Sequence, residues 1–247
     1  AKNYRVIEIK VTDAFTFLQE YVQPKTALKK EPLHERYQSY IQYGDQLRSH
    51  FGDDALLAAT AISQVVRSRI RERKADPSDP LERRVYLLYQ FKRKKEIDLL
   101  RSVYGRLFFQ VSLYSRRGAR VDHLSRRFAT SEDVYAAHRY RDRAEKLIED
   151  DENEADVAHG QRVSKIFHDA DFIVSLDTPE TPYEQVGRFC ELLFGSNQIS
   201  PTRLEYGMFL AKAAALRTLD LSRQVGAAIF SDSGEVVSLG SNEVPRA

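Results

Sequence analysis

Arg84-Val-Tyr-Leu-Leu-Tyr-Gln-Phe91, then Lys94–Tyr104, then Leu107-Phe-Phe-Gln-Val-Ser-Leu-Tyr114 is the stretch on which the fold turns. The two outer runs are apolar almost without interruption and have the length of strands. Between them, Ile97, Leu100, Val103 and Tyr104 fall on one helical face, and Gly105 supplies a stop signal. Strand, helix, strand with near-continuous apolar strands predicts a parallel sheet covered on both faces.

Working outward, Tyr4–Lys10 is β-branched and partly alternating, which predicts a strand. Residues 22–35, with Pro24 and Pro32, are expected to be a loop. Tyr37, Tyr40, Ile41, Gly44 and Leu47 share one helical face. Asp53 and Asp54 precede an apolar helix that runs from Ala55 toward Arg73, with acids at its start and bases at its end as the helix dipole favours. Asp76-Pro-Ser-Asp-Pro80 breaks the chain. Beyond Tyr114 come an arginine-rich segment from Arg116 to Arg127, a polar helix over residues 131–149, a short helix over residues 161–168 and a buried-type strand, Ala170–Leu176. Residues 1–176 are therefore expected to form one α/β domain.

Asp177-Thr-Pro-Glu-Thr-Pro182 has the prolines and polarity of a linker, and a helix over Tyr183–Phe194 ends at Gly195, so residues 177–199 are assigned to linker and helix. In the remaining residues, 200–247, Ser200 is placed to cap a helix with Pro201 at its first position, and that alanine-rich helix runs to about Leu219. Gln224–Phe230 and Val236–Gly240, joined through Ser231-Asp-Ser-Gly234, predict a hairpin.

The chain has 247 residues, 42% of them hydrophobic, enough for one large domain or two small ones. Charged residues make up 30%, but 38 Lys and Arg nearly cancel 36 Asp and Glu, so bulk charge makes no case for nucleic acid. The single cysteine, Cys190, excludes an internal disulfide and favours a reducing, cytoplasmic setting; its apolar helical neighbours predict a buried thiol. No apolar run approaches the ~18 residues of a membrane helix.

Ser222-Arg-Gln-Val-Gly-Ala-Ala-Ile229, Gly234-Glu-Val-Val237 and Gly240-Ser-Asn-Glu-Val-Pro-Arg246 together resemble the opening hairpin of the deoxycytidylate deaminase family. Upstream, Thr202–Arg217, His159-Gly-Gln-Arg162, Phe167-His-Asp-Ala-Asp-Phe172, Leu99–Gly105 and Val111–Ser115 are similar to the larger anti-phage members of that family, in which a P-loop kinase-like domain precedes the deaminase domain. The resemblance covers most of the chain, with the N-terminal third only loosely matched. It implies a fold in which a P-loop-like parallel-sheet domain is followed by the beginning of a cytidine-deaminase-like α/β/α domain. It further implies hydrolytic conversion of deoxycytidine nucleotides, dCMP or dCTP, to deoxyuridine nucleotides, which depletes dCTP during phage replication, and a homo-oligomeric assembly.

Gly226 with Ala227 and Ala228 permits a helix or ligand to approach the strand closely. By resemblance, Asn242 contacts the nucleotide sugar, with Arg223 and Glu243 as further pocket residues; read without it, Asn242 is a turn residue. The family's metal signature, His/Cys-x-Glu followed by Pro-Cys-x-x-Cys, is missing from these residues, as is Gly-x-x-x-x-Gly-Lys-[Ser/Thr]. Zn²⁺ is accordingly expected in an intact parent protein, with its ligands after Ala247, and this chain alone is expected to be inactive. Arg116, Arg117, Arg120, Arg126 and Arg127 admit three readings: a lid that clamps phosphates, a contact for RNA, or a solvated helix surface. A non-catalytic module that senses a nucleotide or RNA is the alternative to the enzyme.

Overall fold

A computed structural model describes residues 3–132, 137–153, 163–178 and 180–242. By internal contacts the chain divides into two compact units, Ala1–Pro182 and Tyr183–Ala247. No helix among the described residues is long and apolar enough to cross a membrane.

The first unit opens with β1 (Arg5–Lys10), the single turn α1 (Phe15–Leu18), α2 (Leu33–Phe51) and α3 (Leu56–Ala75), before β2 (Arg84–Tyr89) returns parallel to β1. Then come α4 (Lys94–Tyr104), β3 (Val111–Tyr114), α5 (Arg117–Glu132), α6 (Arg141–Asn153), α7 (Val163–Phe167) and β4 (Phe172–Ser175), which lies parallel to β3. Two two-stranded parallel sheets result, rather than one continuous sheet. The expectation of strands buried on both faces is corrected accordingly: Val111, Leu113 and Tyr114 of β3 are all exposed, because this narrow sheet is not covered on both sides. The arginine-rich segment belongs to α5, and the polar helix expected over 131–149 is α6, which starts at Arg141.

Helix α2 joins two apolar cores. Tyr43 and Leu47 pack with Ile9, Phe15, Leu57 and Val65 in the first. Leu33 and Tyr37 pack against Val121, Phe128, Ala144 and Ile148 of α5 and α6 in the second. The helix stops at Gly52, whose φ of +62° a side chain would resist. There the amides of Gly52 and Asp53 donate to the carbonyls of Ser49 and Arg48 at 3.3 and 3.1 Å, closing a Schellman turn.

The N-terminus of α4 is anchored by Glu96, which is fully buried. Its Oε2 accepts from the amides of Lys92 and Arg93 at 2.7 and 3.0 Å, and its Oε1 accepts from Nη2 of Arg48 at 3.1 Å. Arg48 also donates to Asp45 at 2.9 Å, so this buried cation is held between two carboxylates.

Helix α8 (Pro182–Leu193) crosses the division, and the second unit continues with α9 (Arg203–Ala215), β5 (Gly226–Phe230) and β6 (Val236–Ser241). Strands β5 and β6 form the antiparallel hairpin, with a register shift at Ile229/Phe230. The cap of α9 is Thr202, not Ser200. Its hydroxyl accepts from the Glu205 amide at 3.2 Å while the Glu205 carboxylate accepts from the Thr202 amide at 2.7 Å. Such a reciprocal capping box satisfies two terminal donors at once and outcompetes the Ser200–Pro201 start. The helix also ends at Ala215, short of Leu219. Cys190 is half-buried rather than buried, since α8 packs only weakly against the other described helices and strands.

Candidate functional site

Two places gather the residues singled out by sequence. In the second unit, α9 lies against β5 with no space between them. A Cβ added to Gly226 would stand 1.9 Å from the Ala211 carbonyl oxygen and 2.5 Å from the Ala215 amide nitrogen. Arg203, at the start of α9, donates to the backbone carbonyls of Ser231 and Asp232 and holds the hairpin turn. Arg188 reaches from α8 to Glu205 through two bonds of 2.7 and 2.8 Å, and that guanidinium lowers the Glu205 carboxyl below its ordinary value.

Asn242 ends this hairpin as a latch. Its Oδ1 accepts from the Val225 amide at 2.9 Å, and its Nδ2 donates to Asp220 Oδ2 at 3.0 Å and to the Arg223 carbonyl at 2.8 Å. Both amide protons are therefore used. Among the described residues one lone pair on Oδ1 remains, so this side chain can still accept from a hydroxyl but has no proton left to give. Asp220 also accepts from the amide and hydroxyl of Ser222 at 2.7 and 2.8 Å, and these donors, the amide first, hold its carboxyl below the usual value. The Arg223 side chain is exposed and pairs with nothing among the described residues, while Glu243 lies outside them.

The first unit contains a cleft of about 610 Å³ that sequence reading did not assemble. Thr12 follows β1, Gln90 follows β2, Ser115 follows β3, and Leu176 and Asp177 follow β4; all of them line it. The carboxyl ends of all four parallel strands thus open on one crevice, the position at which open α/β sheets take ligands. Gln90 has φ +83°, a left-handed conformation that a side chain resists, and its Oε1 accepts from the Thr12 hydroxyl at 2.9 Å. One wall is α2, through Arg36, Tyr37, Tyr40 and Ile41; α5 faces it with Arg120, His123 and Leu124.

Of the five arginines named from sequence, the structure brings two together. Arg117 and Arg120 both pair with Glu152 of α6, at 3.5 and 2.5 Å. Of the five, Arg120 alone reaches the cleft, and its buried Nε has no hydrogen-bond partner among the described residues. The backbone amide of Arg116 donates to Asp177, whose other oxygen accepts from Ser115 at 3.1 Å. Arg126 and Arg127 are exposed and do not line this cleft. The missed residues are Arg36, Tyr37 and Tyr40. The helical face shared by Tyr37 and Tyr40 was readable, Arg36 was not placed on it, and the residue following each parallel strand marks the crevice they border.

No group of three or more His, Cys, Asp or Glu side chains among the described residues is arranged to hold a metal ion.

No family model, curated protein or solved structure matches this chain.

Proposed function

We propose that this chain belongs to a zinc-dependent deoxycytidine nucleotide deaminase that acts in anti-phage defence, with a P-loop kinase-like first unit and the front of the deaminase layer in the second. The observation that supports this reading is the union of two features in the second unit. The Val225-Gly226-Ala227 strand is packed backbone to backbone on an alanine-rich helix. At the Gly240-Ser-Asn242 end of the next strand, the Asn242 Oδ1 accepts one hydrogen bond among the described residues and has capacity for a second. A deoxyribose hydroxyl donates to such an acceptor. Arg223 beside it is a cation without a carboxylate partner among the described residues, suited to a nucleotide phosphate, and Glu243 completes the proposed pocket.

The catalytic zinc does not fit the residues present. Cys190 is the only cysteine, and no Pro-Cys-x-x-Cys or His-x-Glu sequence occurs. The reading therefore assigns the metal ligands and the proton-shuttling glutamate to sequence beyond residue 247, and no chemical step is derived through them. Exposed Met208 and Phe209 on α9 support an assembly in which a neighbouring surface covers them.

The test is to express the reading frame beyond residue 247, measure zinc, and follow deamination of dCMP and dCTP. About one zinc per chain and deoxyuridine nucleotide product are expected, with kcat/KM reduced by Asn242→Ala. A longer chain without zinc, or with zinc and no deamination of either nucleotide, rejects the enzyme.

A further inference from the structure

We infer that the cleft between α2 and α5 of the first unit is a binding site for a 5′-mononucleotide, separate from the hairpin of the second unit.

Its position comes first. Four strand ends converge there, and a backbone in the left-handed region sits at one of them, at Gln90. Its size comes next: about 610 Å³ lies within the ~300–1,000 Å³ range of small-molecule sites.

The walls then set the chemistry. Phe15, Tyr37, Tyr40 and Leu124 offer an aromatic and aliphatic surface, the kind on which a planar base is desolvated. The charged groups are mainly cationic. The Arg36 guanidinium lies 5.0 Å from the centre of the Tyr40 ring and has no carboxylate partner among the described residues. Arg120 shares Glu152 with Arg117, and its buried Nε has no acceptor among the described residues. Arg48 forms part of the lining, and although it is 2% exposed and paired with Asp45 and Glu96, its Nε likewise lacks a partner. Asp177 is the opposing acid, but it already accepts from Ser115 and from the Arg116 amide.

A compact inorganic anion would answer the cations and leave the aromatic wall uncovered. A neutral nucleoside would do the reverse. A molecule with a flat apolar body and a phosphate at one end satisfies both. Ribose hydroxyls find acceptors and donors in Thr12, Gln90 and Ser115 at the strand ends.

The experiment titrates the 247-residue chain with AMP and dCMP, with the matching nucleosides and with inorganic phosphate, by calorimetry. Hydrogen exchange then locates any binding. At least one mononucleotide is expected to bind, protecting amides of α2 and α5, and to do so at least about tenfold more tightly than its nucleoside or phosphate. Arg36→Gln is expected to weaken it about tenfold, with the circular dichroism spectrum unchanged because that guanidinium holds no structural carboxylate. Tyr40→Leu reports the stacking wall independently. The inference is overturned if neither mononucleotide binds below millimolar concentration, if phosphate alone binds as tightly, or if Arg36→Gln changes nothing. Protection confined to residues 220–242 also overturns it and leaves the hairpin reading standing. Tighter binding of a single-stranded RNA with the same protection would transfer the cleft to a macromolecule and overturn it as well.

Discussion

Gly226 and Ala211 meet so closely that a single methyl on the glycine would fall inside the alanine's carbonyl oxygen, 1.9 Å away. Both obstructing groups belong to helix backbone, so no rotamer change relieves the clash. Gly226→Ala is expected to force α9 away from β5 and to destabilise the second unit by about 3 kcal/mol, the upper part of the overpacking range. Gly240→Ala, which meets nothing within 4 Å, is expected to stay within about 0.5 kcal/mol. Hydrogen exchange of the β5 amides in the two variants measures the contrast.

Asn242→Ala removes three hydrogen bonds that tie the end of β6 to residues 220–225. A loss of about 1–2 kcal/mol is expected, since the Val225 amide can turn to water. Protection of the Val225 amide should collapse while that of α9 persists, and hydrogen exchange reads both.

The latch is also sensitive to acid. Asp220 has its carboxyl held below the ordinary 3.8 by Ser222 first and by Asn242 in addition. A carboxyl whose folded value is depressed contributes its stability above the unfolded value and loses it as pH falls through the folded one. The hairpin should therefore be indifferent to pH between about 5 and 8 and should loosen only below the usual carboxylate range. Carbon-detected NMR titration of Asp220 is expected to give a midpoint under 3.8, and Ser222→Ala to raise it.

In the first unit, Glu96→Ala would leave Arg48, 2% exposed, with only Asp45 and would free two amides at the start of α4. Breaking a buried pair on one side costs about 3–5 kcal/mol. Glu96→Gln retains a carbonyl for the amides and is expected to cost less. Urea denaturation followed by circular dichroism distinguishes the three proteins.

How much of this was written in the sequence varies with the range of the interaction. The hairpin was legible because its strands are adjacent and its turn carries Gly234, and the tolerance for close approach at Gly226 was legible from its small neighbours. The cap of α9 was misplaced by two residues because Pro201 suggested a start, while the Thr202–Glu205 reciprocity is a stronger local signal. The mixed α/β class followed from the apolar runs at Arg84–Tyr89 and Val111–Tyr114, but their division into two small sheets did not, since apolar content does not say which strands pair. Arg48 and Glu96 lie 48 positions apart, and nothing local in either helix announces the partner. The arginines of α5 look alike in sequence; only the fold separates Arg120 at the cleft from Arg126 and Arg127 at the surface.

The parallel pairing of β1 with β2 carries a kinetic consequence. Arg5 must find Arg84, and Val111 must find Phe172, across long intervening stretches of chain. Closing such loops costs entropy before any ladder bond returns it, so the helices organise early and the strand pairs arrive late. The first unit is thus expected to mature more slowly than the second, whose hairpin forms between neighbours. During synthesis it would spend that interval with unsheltered strand edges, and this larger unit of the chain is where a folding helper would have most to do.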